Sequence, residues 1–152
     1  MFSSVTSGAV GGIASYLMQV EVDVTDGLPS FNMVGFMSGD VREAGERVKV
    51  ALKNAGTKIP PSKITINLSP ADIRKTGVVV DLPIAVGIMA AMGEIGMDAL
   101  KDVFVLGELG LAQSIFALPP FMSLVGCTFL VASLVQSSSN LFLVAIDLEF
   151  IG

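Results

Sequence analysis

Residues 63–93 read KITINLSPADIRKTGVVVDLPIAVGIMAAMG, and this stretch decides the fold. Ile64, Ile66 and Leu68 alternate with Thr65, Asn67 and Ser69, the period-two pattern of a half-buried strand. Pro70 closes that strand, because proline brings no N–H to a ladder. Asp72 to Gly77 is a polar loop with adjacent cations at Arg74 and Lys75. Asp81 stands where a helix N-cap is expected, its carboxylate placed to accept a free backbone N–H. Pro83 falls in the first turn, where its missing N–H costs nothing. Leu82 to Met92 carries no charge, the mark of a helix covered on most sides.

Upstream of this stretch, Gly39 to Gly56 reads as an amphipathic helix. Val41, Ala44, Val48, Ala51 and Ala55 recur at spacings of three and four and form its buried stripe. Asp40 followed by Glu43 suggests a capping box, Glu43 to Arg47 is a favourable i,i+4 pair, and Gly56 suits the position after the last turn. Phe31 to Phe36 is apolar enough for a strand. Asp26-Gly27 is a turn signal. Ser15 to Thr25 alternates, with Leu17, Val20, Val22 and Val24 assigned to the core and Gln19, Glu21, Asp23 and Thr25 to the wet face. Met1 to Gly12 is a short Ser/Gly-rich lead without the basic region of a signal peptide.

Downstream, Val103 to Leu111 reads as a further strand. The composition then changes: no charged residue occurs between Leu109 and Ile146. The apolar run Phe121 to Val135 falls short of the roughly 20 residues a membrane span needs, and no basic anchor flanks it. It is expected to be a last helix or a strand pair, followed by a strand at Leu141 to Phe150. An altered reading frame is the competing account of this tail.

With 152 residues and 52% hydrophobic residues, the chain can bury a core of about one domain. It contains no histidine, which excludes Ser-His-Asp and Cys-His catalysis and removes the commonest zinc ligand. A lone Cys127 excludes an internal disulfide. Net charge is −5, yet all nine cations lie between Arg42 and Lys101. Between Arg42 and Lys75, eight cations face only Glu43, Glu46 and Asp72. That local excess suits an anionic partner on one face, against the plainer reading of a solvated helix face and loop.

Five ordered pieces resemble one family: GLPSFNMVGF (27–36), VREAGERVKVALKNAG (41–56), PPSKITINLSPADIRKTG (60–77), DLPIAVGIMAA (81–91) and FVLGELGL (104–111). They are similar to the N-terminal domain of magnesium-chelatase-like AAA+ ATPases of the ComM competence type. The resemblance covers roughly residues 16–111. It implies an α/β (α+β) fold of the ribosomal-protein-S5-domain-2-like kind, related to the Lon proteolytic domain, with a mixed sheet and two main helices. The domain would span residues 1–112, with 113–152 a divergent tail. Full-length members carry an ATPase module and act on DNA in branch migration.

The departures from that family bear on chemistry. No G-x-x-x-x-G-K-[ST] occurs, so ATP and magnesium are implied only for a module outside this sequence, and no cofactor is expected here. Where the family carries Gly-Pro-Ser before the Asp-Leu-Pro helix start, this chain has Gly77-Val78-Val79-Val80, which offers no nucleophile for a Ser-Lys dyad. The expectation is a non-catalytic, cytoplasmic accessory domain. Sequence-independent DNA contact is expected through Arg42, Arg47, Lys49, Lys53, Lys63, Arg74 and Lys75. The phenylalanines are read as core, so no aromatic is assigned to reading bases. Sister subunits of a ring are the other expected partner. The alternatives are a protein-packing module without nucleic-acid contact and a carboxylate-based enzyme using Asp72, Asp81 and Glu108. A membrane location is disfavoured.

Overall fold

The structure, a computed structural model, describes residues 1–11, 14–54, 56–75, 80–101 and 103–109, together with four short strands between residues 115 and 144. The alternating stretches become β2 (Ala14–Asp26), β3 (Ser30–Val34), β4 (Ser62–Ser69) and β5 (Val103–Leu109). The two helical stretches become α1 (Gly39–Asn54) and α2 (Asp81–Ala91). The lead at residues 1–12 is not a lead: Phe2–Gly11 is a strand, β1, paired antiparallel with β2 along its whole length. Its inward residues include Ser3 and Ser7, both fully buried, so the strand lacks the apolar alternation that sequence reading looks for.

The main sheet has seven strands in the order β3-β4-β2-β1-β5-β8-β9, where β8 is Cys127–Ser133 and β9 is Phe142–Val144. β3 and β4 are parallel, as are β1 and β5, and the remaining pairs are antiparallel. The result is the mixed-sheet α+β architecture with two main helices that the sequence implies. β6 (Ile115–Leu118) and β7 (Met122–Val125) form a separate two-stranded ribbon. The described part of 121–135 is therefore strand at β7 and β8, not the helix that is one of the expectations for this run. Its Val, Thr, Phe and Cys residues suit a pleated surface. Only Phe142–Val144 of the strand expected at 141–150 lies within the described residues.

Both helices pack on one face of the sheet. Val20, Val22 and Val24 of β2 and Ile64, Ile66 and Leu68 of β4 point into that layer and are almost fully buried. Leu17 does not join them. Met18 is the inward residue, and Leu17 stands 63% exposed on the opposite face, because side chains two apart share a face and Leu17 is out of step with Val20. The opposite face is polar. There Gln19 Nε2 donates to Thr6 Oγ1 at 3.1 Å, and Asn67 Nδ2 donates to Glu21 at 2.7 Å.

The α1 stripe is Val41, Ala44, Gly45, Val48 and Leu52, with Ala51 half-buried and Ala55 outside the described residues. The expected capping box is not formed. The helix starts one residue before Asp40, and the Arg42 N–H donates to the Ser38 carbonyl at 3.1 Å. At the far end, Gly56 has φ +86° and its N–H meets the Lys53 carbonyl, while the Thr57 N–H reaches the Leu52 carbonyl. This paired closure uses the left-handed conformation that glycine adopts without a Cβ penalty.

Every residue of α2 is buried. It lies closely on the sheet because small residues meet: Ser3 Oγ donates to the Gly87 carbonyl at 2.6 Å. A Cβ on Gly87 would stand 2.7 Å from a methyl carbon of Val22. Replacing Gly87 by Ala is expected to destabilise the fold by about 1–3 kcal/mol, although alanine is the better helix former. Urea unfolding of the two proteins measures the difference.

Candidate functional site

The charged residues of the central stretch divide into a sealed set and an exposed set. The sealed set centres on Asp81, whose side chain has no exposed surface. Arg47, on the third turn of α1, reaches it with Nε to Oδ2 at 2.7 Å and Nη2 to Oδ1 at 2.9 Å. Nη2 also donates to the Asp40 carbonyl at 2.9 Å, and Glu43 lies 3.9 Å from Nη1. Asp81 is thus not the cap of α2. Val80 holds that position without a side-chain cap, and both carboxylate oxygens of Asp81 are committed to the guanidinium. The planar fork matches the carboxylate in a two-point contact that a lysine would not reproduce.

Lys75 belongs with the sealed set. It has no exposed surface, and its Nζ has no hydrogen-bond partner among the described residues. Its backbone explains why. The Lys75 N–H donates to the Phe36 carbonyl and the Ser38 N–H donates to the Lys75 carbonyl, both at 2.9 Å. This stitch ties the loop after β4 to the connection between β3 and α1, and it turns the side chain inward. Burial pushes the Lys75 ammonium below the ordinary lysine range, while the charge of Asp72 acts in the opposite direction.

Of the seven cations expected at a contact surface, Lys75 is therefore withdrawn from solvent and Arg47 is mostly covered. Arg42, Lys53, Lys63 and Arg74 are exposed, and Lys49 is half-buried. Lys49 pairs with Glu46 at 2.7 Å and lies over the Phe31 ring, 4.7 Å from its centre. Lys58, passed over as a contact residue, is exposed beyond the end of α1.

Reading every phenylalanine as core is also corrected. Phe36 is 54% exposed, and the Arg74 guanidinium lies over its ring at 5.8 Å. Tyr16, whose hydroxyl donates to the Arg74 carbonyl at 3.0 Å, fixes the loop from the other side. Gly35, with φ +132°, turns the chain just before Phe36 and presents that side chain outward. A glycine directly before an aromatic, between a strand and a helix, is the sequence signal that could have found it.

The carboxylate-enzyme alternative loses its centre. Asp81 is neutralised inside the fold, Asp72 is exposed, and the side chain of Glu108 lies outside the described residues. The segment 76–79, where the family carries its serine, is also outside them, and Val80 is buried. Among the described residues no helix is long and apolar enough to cross a membrane.

The sealed pair and the sealed amine make separate predictions. Asp81→Ala leaves the guanidinium without its carboxylate and is expected to cost about 3 kcal/mol or more, whereas the double change Arg47→Met with Asp81→Leu recovers most of that loss. A double-mutant cycle in urea measures both. For Lys75, the folded state holds fewer protons than the unfolded chain between the lowered pKa and the ordinary one. Stability of the parent protein relative to Lys75→Met therefore rises with pH through that window, and the deficit is full below it. Unfolding midpoints at neutral and alkaline pH are the measurement.

Comparison with known proteins matches these features to a family. The family described as subunit ChlI of Mg-chelatase matches residues 20–127, which takes in β4, both helices and β5 and runs on past residue 112. Competence protein ComM of Haemophilus influenzae is 43% identical over 107 residues, covering 70% of this chain and 21% of that protein. The uncharacterised protein YifB of Escherichia coli is 39% identical over 121 residues, covering 80% of this chain and 24% of its own length. The chain thus spans less than a quarter of the length of either relative. On the extent of that match, the chain belongs to the magnesium-chelatase subunit ChlI family.

Proposed function

We propose that this chain is a non-catalytic accessory domain of a magnesium-chelatase-like AAA+ ATPase that acts on DNA in the cytoplasm. The motor, with its ATP and magnesium, belongs to an ATPase module outside this sequence. The observation that carries the reading is the family match, which includes a relative named as a competence protein, together with Arg42, Lys53, Lys63 and Arg74 facing solvent. These cations neutralise phosphates without reading bases, so binding is insensitive to sequence and steeply dependent on salt. The S5-domain-2-like, Lon-related ancestry implied by the resemblance belongs to the same proposal, as does assembly into a ring.

Titration of labelled oligothymidine and a labelled duplex across a salt series tests it. Expected are a logarithmic slope of roughly −0.7 per phosphate neutralised on the single strand and an affinity loss of about tenfold for Lys53→Glu with Lys63→Glu. Absence of binding at low salt overturns the DNA contact. The exposed Phe36 under Arg74 favours a second reading, a packing surface for sister subunits. In that case Arg74→Glu changes the oligomer mass measured by light scattering and leaves oligonucleotide binding unaltered.

A further inference from the structure

Where α1 ends, the described residues form a concave surface. A groove of about 470 Å³ has Pro29, Phe31, Ile59, Pro60, Pro61 and Ile64 among its lining residues, with Lys49 on its wall. A second hollow of about 510 Å³ shares Lys49 and Ile59 with it and adds Lys53 and Lys58. An apolar floor is therefore rimmed by lysines. Lys49 is engaged by Glu46, whereas no pairing carboxylate stands within salt-bridge distance of Lys53 or Lys58 among the described residues. Leu28, 89% exposed, immediately precedes Pro29 at the mouth.

The groove opens beside β3, the first strand of the sheet, which pairs only with β4 among the described strands. Its outer row of backbone N–H and C=O groups is available to another extended chain. Shape, polarity and charge thus converge on one occupant. We infer that this groove docks an extended, acidic peptide segment of a protein partner, with an apolar side chain seated against Phe31, Ile59 and the prolines and carboxylates meeting Lys53 and Lys58.

Single-stranded nucleic acid fits less well. The Phe31 ring already carries Lys49 over its face, and its edge lies where a Cβ on Gly45 would be 2.8 Å away. One face of that ring is thus taken by a cation and its edge is packed on α1, which weakens it as a platform for a base, and stacking supplies much of single-strand affinity. Lysine ammoniums on flexible stems suit the scattered carboxylates of an acidic peptide. Apolar contact then provides the part of the affinity that salt does not screen.

This inference does not rest on the DNA reading, and the test separates the two. The probe is a fluorescein-labelled peptide Gly-Asp-Leu-Asp-Phe-Asp-Gly, with a control in which lysines replace the aspartates. Both are titrated against the full chain by anisotropy. Expected are binding of the acidic probe only, an affinity loss of about tenfold in Lys58→Glu, and a similar loss in Ile59→Gln, which leaves the charge unchanged. Both variants should keep the parent's unfolding transition, and the charge-neutral Ile59→Gln should leave oligothymidine binding within about twofold of the parent's. No binding of the acidic probe at low salt, or equal binding by the parent and a folded Ile59→Gln, overturns the proposal. So does a loss of oligothymidine affinity in Ile59→Gln with competition between the two probes, which would make the groove a nucleic-acid site.

Discussion

The two-point contact between Arg47 and Asp81 holds the two helices in register with each other. It joins the middle of α1 to the first residue of α2, 34 positions apart in the chain. Neither partner is tolerable there alone. Asp81 is fully enclosed at the start of a helix whose every residue is buried, and Arg47 is mostly covered. A buried carboxylate without a cation is costly, and the same holds for a buried guanidinium without an anion. Any arrangement of the helices that separates them is penalised on both sides. The pair acts as a constraint on geometry more than as a source of net stability, since a well-packed apolar pair of similar volume would hold the helices at least as firmly.

That constraint also divides the cations. Committing Arg47 to Asp81, and turning Lys75 inward through its backbone bonds to residues 36 and 38, removes two charges from a cluster that the linear sequence presents as continuous. What remains outside falls into two places. Arg42 and Arg74 stand near the connection between β3 and α1, where Phe36 is exposed. Lys53, Lys58 and Lys63 stand around the end of α1 and the entry to β4. The first place has forked cations and an aromatic ring. The second has flexible ammoniums and an apolar hollow. A chain that is acidic overall thereby exposes cations in two places of different chemistry.

Most of the architecture is legible in the sequence, because its main elements obey one period each. β4 alternates strictly, β2 does so from Met18 to Val24, α1 keeps its spacing of three and four, and α2 is uncharged after Asp81. β1 is not legible, since its core positions include Ser3 and Ser7, the first of them suited to the close approach of α2. The site is less legible than the fold. Asp81 has the local signature of a cap, and only its tertiary partner shows otherwise. Yet a carboxylate that opens an entirely apolar helix has little chance of staying in water, and that demand for a cation is a signal present in the sequence. Lys75 carries no such signal: its neighbours Asp72 and Arg74 are exposed, and its inward turn is set by backbone pairing with a distant loop.

The sheet topology bears on how the chain is made. β3, α1 and β4 are consecutive and close on one another within a short span, and β2 lies ready as their neighbour. β1 has a different history. Its other edge meets β5, where Thr6 lies beside Phe104, so this strand acquires that neighbour only after both helices have been made. Until then the nascent sheet carries an open rim next to the greasy underside of α2. Such late, long-range closure is slow and leaves intermediates prone to self-association. Conditions that delay translation between α2 and β5 should therefore tax this fold more than pauses anywhere earlier.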